Sequence, residues 1–133
     1  MASKFIRHSE VPVTEFDWGS AGMRASKDNT GCETFVVMDV TLEPGFCHDF
    51  HKHPDQDEMI IVKKGSITQY IEGESTTLNA GDSVYLDKDV VHGSFNDGTE
   101  TAELQVVLAP AMGEGGYELV DVSGDEPWAS ARS

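Results

Sequence analysis

Apolar residues in this chain come in short runs that turn-forming residues separate. The first long run, residues 34–42, is rich in β-branched side chains and stops at Glu43-Pro44-Gly45. The later runs cover residues 59–62, 67–71, 75–78, 83–86, 90–95 and 101–108. Short runs at this spacing, with Gly, Asp and Asn between them, are typical of strands in a β-sandwich or barrel. The pattern therefore predicts an all-β fold.

The two ends of the chain extend this pattern. The segment 11–23 carries Phe16 and Trp18 and is expected to lay an extra strand across the barrel, while residues 117–122 predict one late strand or arm. Helical periodicity is nearly absent, and only residues 28–33 and 126–131 are expected to hold a helical turn. Asn96-Asp97-Gly98 is typical of a hairpin turn. We expect one domain with its core at about 34–110, an N-terminal extension at 1–33 and a C-terminal arm at 111–133.

The length of the chain indicates how many domains it forms, and its charge excludes some classes of binding partner. The 133 residues are the size of one domain, and 24 acids against 9 bases give a formal net charge of −15. Such acidity argues against nucleic acid and against anionic membrane surfaces as partners. The sequence has no long apolar run and no apolar segment near its start, so we expect a cytoplasmic protein. Cys32 and Cys47 are expected to be reduced, with a disulfide between them as the alternative.

Three histidines and one acid form the candidate chemical site. His51 and His53 are two residues apart, so on a strand both imidazoles leave the same face. Pro54 should end that strand, and Glu58 then opens the next one and is expected to lie beside the histidines across a hairpin. His92 belongs to a later strand. Three neutral imidazoles and a carboxylate that converge inside a barrel would bind a divalent transition metal ion.

Other interpretations of these residues stay open at this point. His51 and His53 could equally be surface histidines on an edge strand, and His92 a hydrogen-bonded core histidine. Glu58 could be a solvated acid, with Gln56 or Asp57 in its ligand position if the turn shifts by one residue.

Strand parity also makes predictions about the neighbours of the histidines. Cys47 and Asp49 share the parity of His51 and are expected to point inwards, Asp49 either to orient a ligand histidine or to lie at the rim. Cys47 is expected to be a packed side chain rather than a thiolate ligand. His48 has the opposite parity and is expected on the outer face. A further set is expected either to line the pocket or to pack in the strands, namely Tyr70, Tyr85 and Gln105. The remaining large aromatics are expected in the core or at a dimer contact, namely Phe46, Phe50, Phe95, Trp18 and Trp128.

The spacing of these residues resembles the two motifs of the cupin superfamily. The first motif is a Gly, two histidines, a Glu and a Gly at fixed intervals, and the chain matches every interval with Gly45, His51, His53, Glu58 and Gly65. The second motif is matched by Gly81, His92 and Asn96, whereas Asp87 and Asp89 replace its Pro and Gly. Both replacements concern the turn before His92 and not the ligand itself. A Gly in that turn often supplies a positive φ, and Asp tolerates this conformation better than most residues.

The resemblance implies a jelly-roll barrel with a metal ion bound by His51, His53, Glu58 and His92. Residues 51–58 are similar to those of a loosely defined quercetin-dioxygenase-like group of cupins, which does not fix a substrate. The metal is expected to be Fe, Mn, Ni, Co, Cu or Zn, and ligand identity does not choose among them.

The resemblance leads to two functional hypotheses. One is a metal-dependent enzyme, dioxygenase-like, that acts on a small oxygenated molecule; an isomerase or a lyase is the alternative within this class. Glu58 would then be the catalytic residue, either as a ligand or as a general base. The other hypothesis is a non-catalytic cupin that binds or senses a small ligand. A homodimer is expected in either case, because small β-sandwiches often cover sheet edges and apolar outer faces by pairing.

Overall fold

A computed structural model describes residues 4–132 of the chain. It contains eleven strands in this order: β1 (Val13–Phe16), β2 (Gly19–Ala25), β3 (Val36–Leu42), β4 (Cys47–Lys52), β5 (Asp57–Lys64), β6 (Ser66–Ile71), β7 (Glu74–Asn79), β8 (Ser83–Leu86), β9 (His92–Phe95), β10 (Ala102–Ala109) and β11 (Val120–Asp121). One α-helical turn, α1 (Lys27–Thr30), lies between β2 and β3. Two 3₁₀ turns, His8–Glu10 and Trp128–Ser130, lie near the ends of the chain.

The strands form two antiparallel sheets. The larger sheet has the order β1-β2-β3-β10-β5-β8, and the smaller one has the order β11-β4-β9-β6-β7. The predicted jelly-roll is confirmed, and it consists of two facing sheets rather than one continuous closed sheet. Consecutive strands often lie in opposite sheets, which is how residues distant in sequence meet in the interior.

Alternating apolar residues form the core between the sheets. In β3 every second residue is buried, and the register pairs them with the buried residues of β10 and, through β10, of β5. Burial on one face with period two is what places this face against the other sheet. The largest core residues come from both sheets: Leu42, Ile67, Leu86 and Leu108.

A second, aromatic cluster covers the outer face of the smaller sheet. Phe50 and Phe95 lie 5.4 Å apart between ring centroids, and Trp128 from the C-terminal segment packs 5.6 Å from Phe50. The guanidinium of Arg132 lies 4.0 Å from the centroid of Phe95 and donates to Asp97 at 2.7 Å. The C-terminal segment therefore closes the outer side of this sheet with its own residues.

Most of the sequence-based elements are confirmed, and one turn prediction is wrong. The strand at 83–86 is β8, the late strand in 117–122 is β11, and the N-terminal extension adds β1 and β2 to the larger sheet. Asn96-Asp97-Gly98 does not close a hairpin, because β9 and β10 lie in different sheets. The Asn96 side chain shapes this crossing: it donates to the carbonyls of Leu42 and Glu100 and accepts from the N–H of Gly98.

Two further expectations have a structural outcome. Cys32 and Cys47 are both free thiols, as expected, so the alternative disulfide is not formed. Over residues 4–132, none of the helices is long and apolar enough to cross a membrane.

Candidate metal centre

Four side chains from three strands and one turn meet between the sheets. His51 lies in β4 and pairs in register with His92 at the start of β9, and His53 follows directly after β4. Glu58 comes from β5, between β10 and β8 in the larger sheet. The ligand atoms of all four residues lie within 4.8 Å of one another. The structure thus brings together the four residues named from the sequence.

Glu58 reaches the histidines by a different route from the one expected. The prediction placed it across a hairpin from His51 and His53, but β4 and β5 lie in opposite sheets. The Glu58 carboxylate therefore extends from the larger sheet into the interior and approaches the imidazoles of the smaller sheet from the opposite side. Its Oε1 atom lies 2.8 Å from Nε2 of His92 and 3.2 Å from Nε2 of His53.

Backbone carbonyls set the orientation of all three imidazoles. Nδ1 of His51 donates to the carbonyl of Asp49 at 2.6 Å, and Nδ1 of His92 donates to the carbonyl of Val90 at 3.0 Å. Nδ1 of His53 donates to the carbonyl of Glu118 at 2.8 Å. A carbonyl only accepts, so each Nδ1 carries the proton and each Nε2 lone pair is left for a metal ion.

The donor set fits a divalent ion. Two buried side-chain atoms of the described residues, Glu58 Oε1 and His92 Nε2, have no hydrogen-bond partner, although they face each other. Two lone pairs at this distance repel, and either a proton on the ring or a cation ligated by both atoms relieves the repulsion. Ligands on one ion lie about 3–4 Å apart at metal–nitrogen distances of about 2.1 Å. The cluster needs only a small contraction to hold an ion.

Burial and the mutual contacts shift the acidity of these groups. Burial alone would raise the pKa of Glu58, but the imidazoles of His53 and His92 outweigh it and lower that pKa to about 2. Burial, with a contribution from His92, lowers the pKa of His51 to about 4. Burial also opposes the charged form of His53, yet the adjacent Glu58 carboxylate raises the pKa of His53. The carboxylate is therefore ionised and His51 is neutral at neutral pH, as metal binding requires.

A bulge in β4 overturns the parity argument for its first residues. His48 pairs with Ser94 and His51 with His92, so β4 has one residue more than β9 between these pairs. As a result His48 lines the interior cavity, and Cys47 packs against the outer aromatic cluster instead of pointing inwards. Burial raises the pKa of the Cys47 thiol, which fits its packed position. Asp49, in the bulge, serves His51 through its backbone carbonyl.

A cavity of about 420 Å³ opens onto the metal-ligand cluster. Its apolar wall consists of Phe16, Trp18, Ala21, Met38, Val40, Val106, Leu108 and Leu119. Beyond His51, His53 and Glu58, its polar lining consists of His48, Asp49, Tyr117, Asp121 and Ser123. Trp18 stacks on Phe16 at 4.7 Å and meets the His48 ring edge-on at 4.5 Å.

Several sequence-based expectations about aromatic and polar residues near this cavity have a structural outcome. Trp18 was expected in the core or at a dimer contact; it packs against the main core and also forms part of the cavity wall. Gly19 allows this position, because a Cβ there would lie 2.0 Å from the carbonyl oxygen of Thr41. Three residues were expected either to line the pocket or to pack in the strands, and none of them lines this cavity. Tyr70 packs in the outer aromatic cluster, and Tyr85 is exposed. Gln105 donates to Asp39 on the outer face of the larger sheet.

Gln56 has a role that sequence reasoning missed. It was considered as a replacement ligand, but its side chain is 1% exposed and turned towards the C-terminal arm. It donates to the carbonyls of Pro110 and Gly116 and accepts from the N–H of Glu118. Glu118 in turn accepts the Nδ1 proton of His53. Gln56 therefore fixes the segment that orients a ligand.

The turn before His92 behaves as its sequence suggested. Asp89, which replaces the motif glycine, has a φ of 65°. Its N–H donates to the carbonyl of His53 at 2.9 Å, which ties this turn to the end of β4. The replacement therefore keeps the backbone conformation and leaves His92 in the cluster.

Comparisons with known proteins agree with this picture. The sequence profile of the family described as "Cupin domain" matches residues 38–108, which is 71 of the 133 residues and includes all four candidate ligands. The Bacillus subtilis protein YdbB, described as uncharacterized, is 39% identical over 46 residues. That match covers 34% of this chain and 41% of YdbB, so it spans less than half of the relative.

Solved structures share the fold. KdgF from Halomonas sp. matches with a TM-score of 0.71 and 17% identity over 82% of this chain and 96% of its own. A predicted oxalate decarboxylase from Thermotoga maritima matches with a TM-score of 0.72 and 20% identity over 80% of this chain and 98% of its own. At such identities the likeness concerns the fold and leaves the activity open.

Proposed function

The chain belongs to the cupin family, and we propose that it is a metal-dependent enzyme that oxidises a small oxygenated molecule in a dioxygenase-like reaction. The observation that carries the proposal is the cavity of about 420 Å³ that opens onto His51, His53 and Glu58. A purely structural ion has its ligand positions filled by protein, whereas a catalytic ion keeps a position open to substrate. The cavity would give a substrate access to such a position on a bound ion.

Each part of the site has a task in this proposal. A divalent ion bound there would polarise a substrate oxygen or, if it is iron, activate dioxygen. The three Nδ1 hydrogen bonds hold the imidazoles in the tautomer and orientation that ligation needs. Glu58 supplies the negative charge, as a ligand or as a general base on a bound substrate.

The cavity walls support a catalytic rather than a storage role. Trp18, Met38 and the other apolar residues of the lining would exclude water from one side of a bound substrate. His48 and Tyr117 add polar groups to the same wall, where they are available to a bound molecule for hydrogen bonding. The oxidative direction of the reaction is supported by the resemblance of residues 51–58 to the quercetin-dioxygenase-like group.

The experiment begins with metal content. Protein purified without an affinity tag is expected to contain about one divalent ion per chain by elemental analysis. The double variant His51→Ala, His92→Ala is expected to lose it, and His8→Ala, which removes an exposed histidine outside the cluster, is expected to keep it. Unchanged metal content in the double variant would overturn the site assignment.

Activity is tested separately on the reconstituted protein. Apoprotein loaded in turn with Fe, Mn, Co, Ni, Cu or Zn is screened with small oxygenated molecules in an oxygen electrode and by mass spectrometry. Oxygen uptake with a matching product is the expected result. Turnover without oxygen uptake would replace the dioxygenase proposal by an isomerase or lyase. Metal binding without any turnover would leave a ligand-binding cupin.

A further inference from the structure

Within residues 4–132, the lining of the cavity over the metal centre contains no lysine or arginine. The bases on nearby elements are paired elsewhere: Lys52 with Asp89 at 3.2 Å, Arg24 with Asp39 at 2.8 Å, and Arg132 with Asp97 at 2.7 Å. A substrate carboxylate or phosphate would therefore find no cationic side chain in the cavity to bind it.

Two carboxylates lie in the cavity lining instead. Asp121 pairs in register with His51, and its Oδ1 accepts from the N–H and the hydroxyl of Ser123. Asp49 lies in the β4 bulge two residues before His51, and its Oδ1 accepts from the N–H of Phe50. Both residues are exposed to solvent, and both line the cavity.

A charge count gives the sign of the local field. A divalent ion with three neutral imidazoles and the Glu58 carboxylate carries a net charge of +1. Asp49 and Asp121 together add −2, so the loaded cavity has a net charge of −1. The formal charge of −15 on the whole chain, before an ion binds, has the same sign. An anion is therefore repelled on approach and forms no ion pair with a Lys or Arg side chain inside the cavity.

The remaining wall favours a flat apolar group. Phe16 and Trp18 are stacked with an interplanar angle of 7°, and the His48 ring makes a T-shaped contact with Trp18. The same lining also has aliphatic residues, among them Val106 and Leu108 from β10. Rings and unsaturated groups pack well against such surfaces.

We infer that this cavity takes a neutral or cationic molecule with a flat apolar part and rejects a carboxylate of the same size. The inference rests on the proposed metal site, because the molecule is to be held by an open metal position. It separates this chain from the predicted oxalate decarboxylase of Thermotoga maritima, since oxalate is a small dianion without an apolar part.

Three pyridines of one shape test the inference. 4-Methylpyridine is neutral, 4-(aminomethyl)pyridine carries an ammonium group at pH 7.5, and isonicotinate carries a carboxylate. Each is titrated into Co²⁺-loaded protein at low salt, and the visible absorption of the ion reports binding. Each dissociation constant is divided by that of the same pyridine with Co²⁺ in water, so that only the effect of the protein remains.

The ammonium compound is expected to bind about tenfold more tightly than isonicotinate after this correction, with 4-methylpyridine between them. The difference should shrink to about twofold in the double variant Asp49→Asn, Asp121→Asn, whose amide oxygens keep the hydrogen bonds that Oδ1 accepts. Glu74→Gln, which removes one exposed charge from β7 outside the cavity, is the control for a charge lost elsewhere and should keep the difference.

Each contrary result has a separate meaning. Equal or tighter binding of isonicotinate would overturn the inference, as would binding by none of the three pyridines, and in both cases the metal site would stand. An unchanged difference in the Asp49, Asp121 double variant would also overturn it, because the two carboxylates would not be its cause. Failure of the protein to take up Co²⁺ would overturn the proposed metal site and the inference together.

Discussion

Replacing Gln56 by Leu should weaken metal binding although Gln56 does not touch the metal cluster. The Gln56 side chain makes three hydrogen bonds, one to Pro110 at 2.7 Å and two to the C-terminal arm, with Gly116 at 3.2 Å and Glu118 at 3.0 Å. Leu has nearly the same volume and makes none of them. The arm then loses its attachment next to Glu118, whose carbonyl accepts from Nδ1 of His53 at 2.8 Å.

The magnitude follows from these contacts. Each buried hydrogen bond contributes about 1 kcal/mol net, and the apolar Leu side chain regains part of the loss on burial. Pro110 and Glu118 are exposed, so water can rebind part of their backbone. We therefore expect the free energy of unfolding to fall by about 2 kcal/mol, which lowers the melting temperature by about 8 °C. Loss of the partner that orients a ligand histidine typically costs about 10- to 100-fold in metal affinity.

The assay measures both quantities on the same protein. Chelator competition with Zn²⁺ or Co²⁺ gives the metal affinity, and urea unfolding of the apoprotein gives the stability. Gln105→Leu is the matched control, because it removes a side-chain amide that donates to Asp39 on the outer face of the larger sheet. That variant should lose less stability and keep its metal affinity. Gln56→Leu with unchanged metal affinity would refute the reasoning, since His53 would then not depend on the arm.

Three other predictions follow from the same structure. Burial lowers the pKa of His51 to about 4, so between pH 6.5 and 4 the unfolded chain binds a proton there that the folded chain does not. In urea unfolding of the apoprotein, the free energy of unfolding should fall as the pH drops through this range. It should fall less steeply with pH in His51→Gln, and equal slopes in the two proteins would contradict the lowered pKa of His51. Arg132→Ala removes the contacts to Asp97 and Phe95 and should cost about 1 kcal/mol in urea unfolding, whereas Arg7→Ala, at an exposed ion pair of 4.0 Å, should cost almost nothing. Light scattering should report a homodimer of about 29 kDa, twice the 14.5 kDa of one chain, and a mass near that of one chain would contradict it.

The strands were predictable because their signals are local. Alternating apolar residues and turn residues depend only on neighbours in sequence, and β8 was placed at its observed bounds. The four candidate ligands could also be named, because the motif spacing fixes which side chains the two sheets present to each other. Asp89 could be expected to adopt a positive φ, since that preference belongs to the residue type.

What could not be predicted depends on long-range pairing. The bulge in β4 exists because β4 pairs with β9, and nothing in the local sequence fixes that register. It reverses the faces of Cys47 and His48. The partner of His53 lies 65 residues away at Glu118, and the turn at Asn96 changes sheet because of contacts to Leu42 and Glu100. Parity counts along one strand carry none of this information.

The C-terminal arm has a consequence for how the protein can diverge. All four candidate ligands lie within residues 38–108, which the family profile matches. Glu118 and three aromatic residues of the cavity lining lie outside that range, namely Phe16, Trp18 and Tyr117. Substitutions in the arm can therefore alter the orientation of His53 while every ligand stays in place. A change in metal affinity can thus originate in a flanking segment while all four ligands remain unchanged.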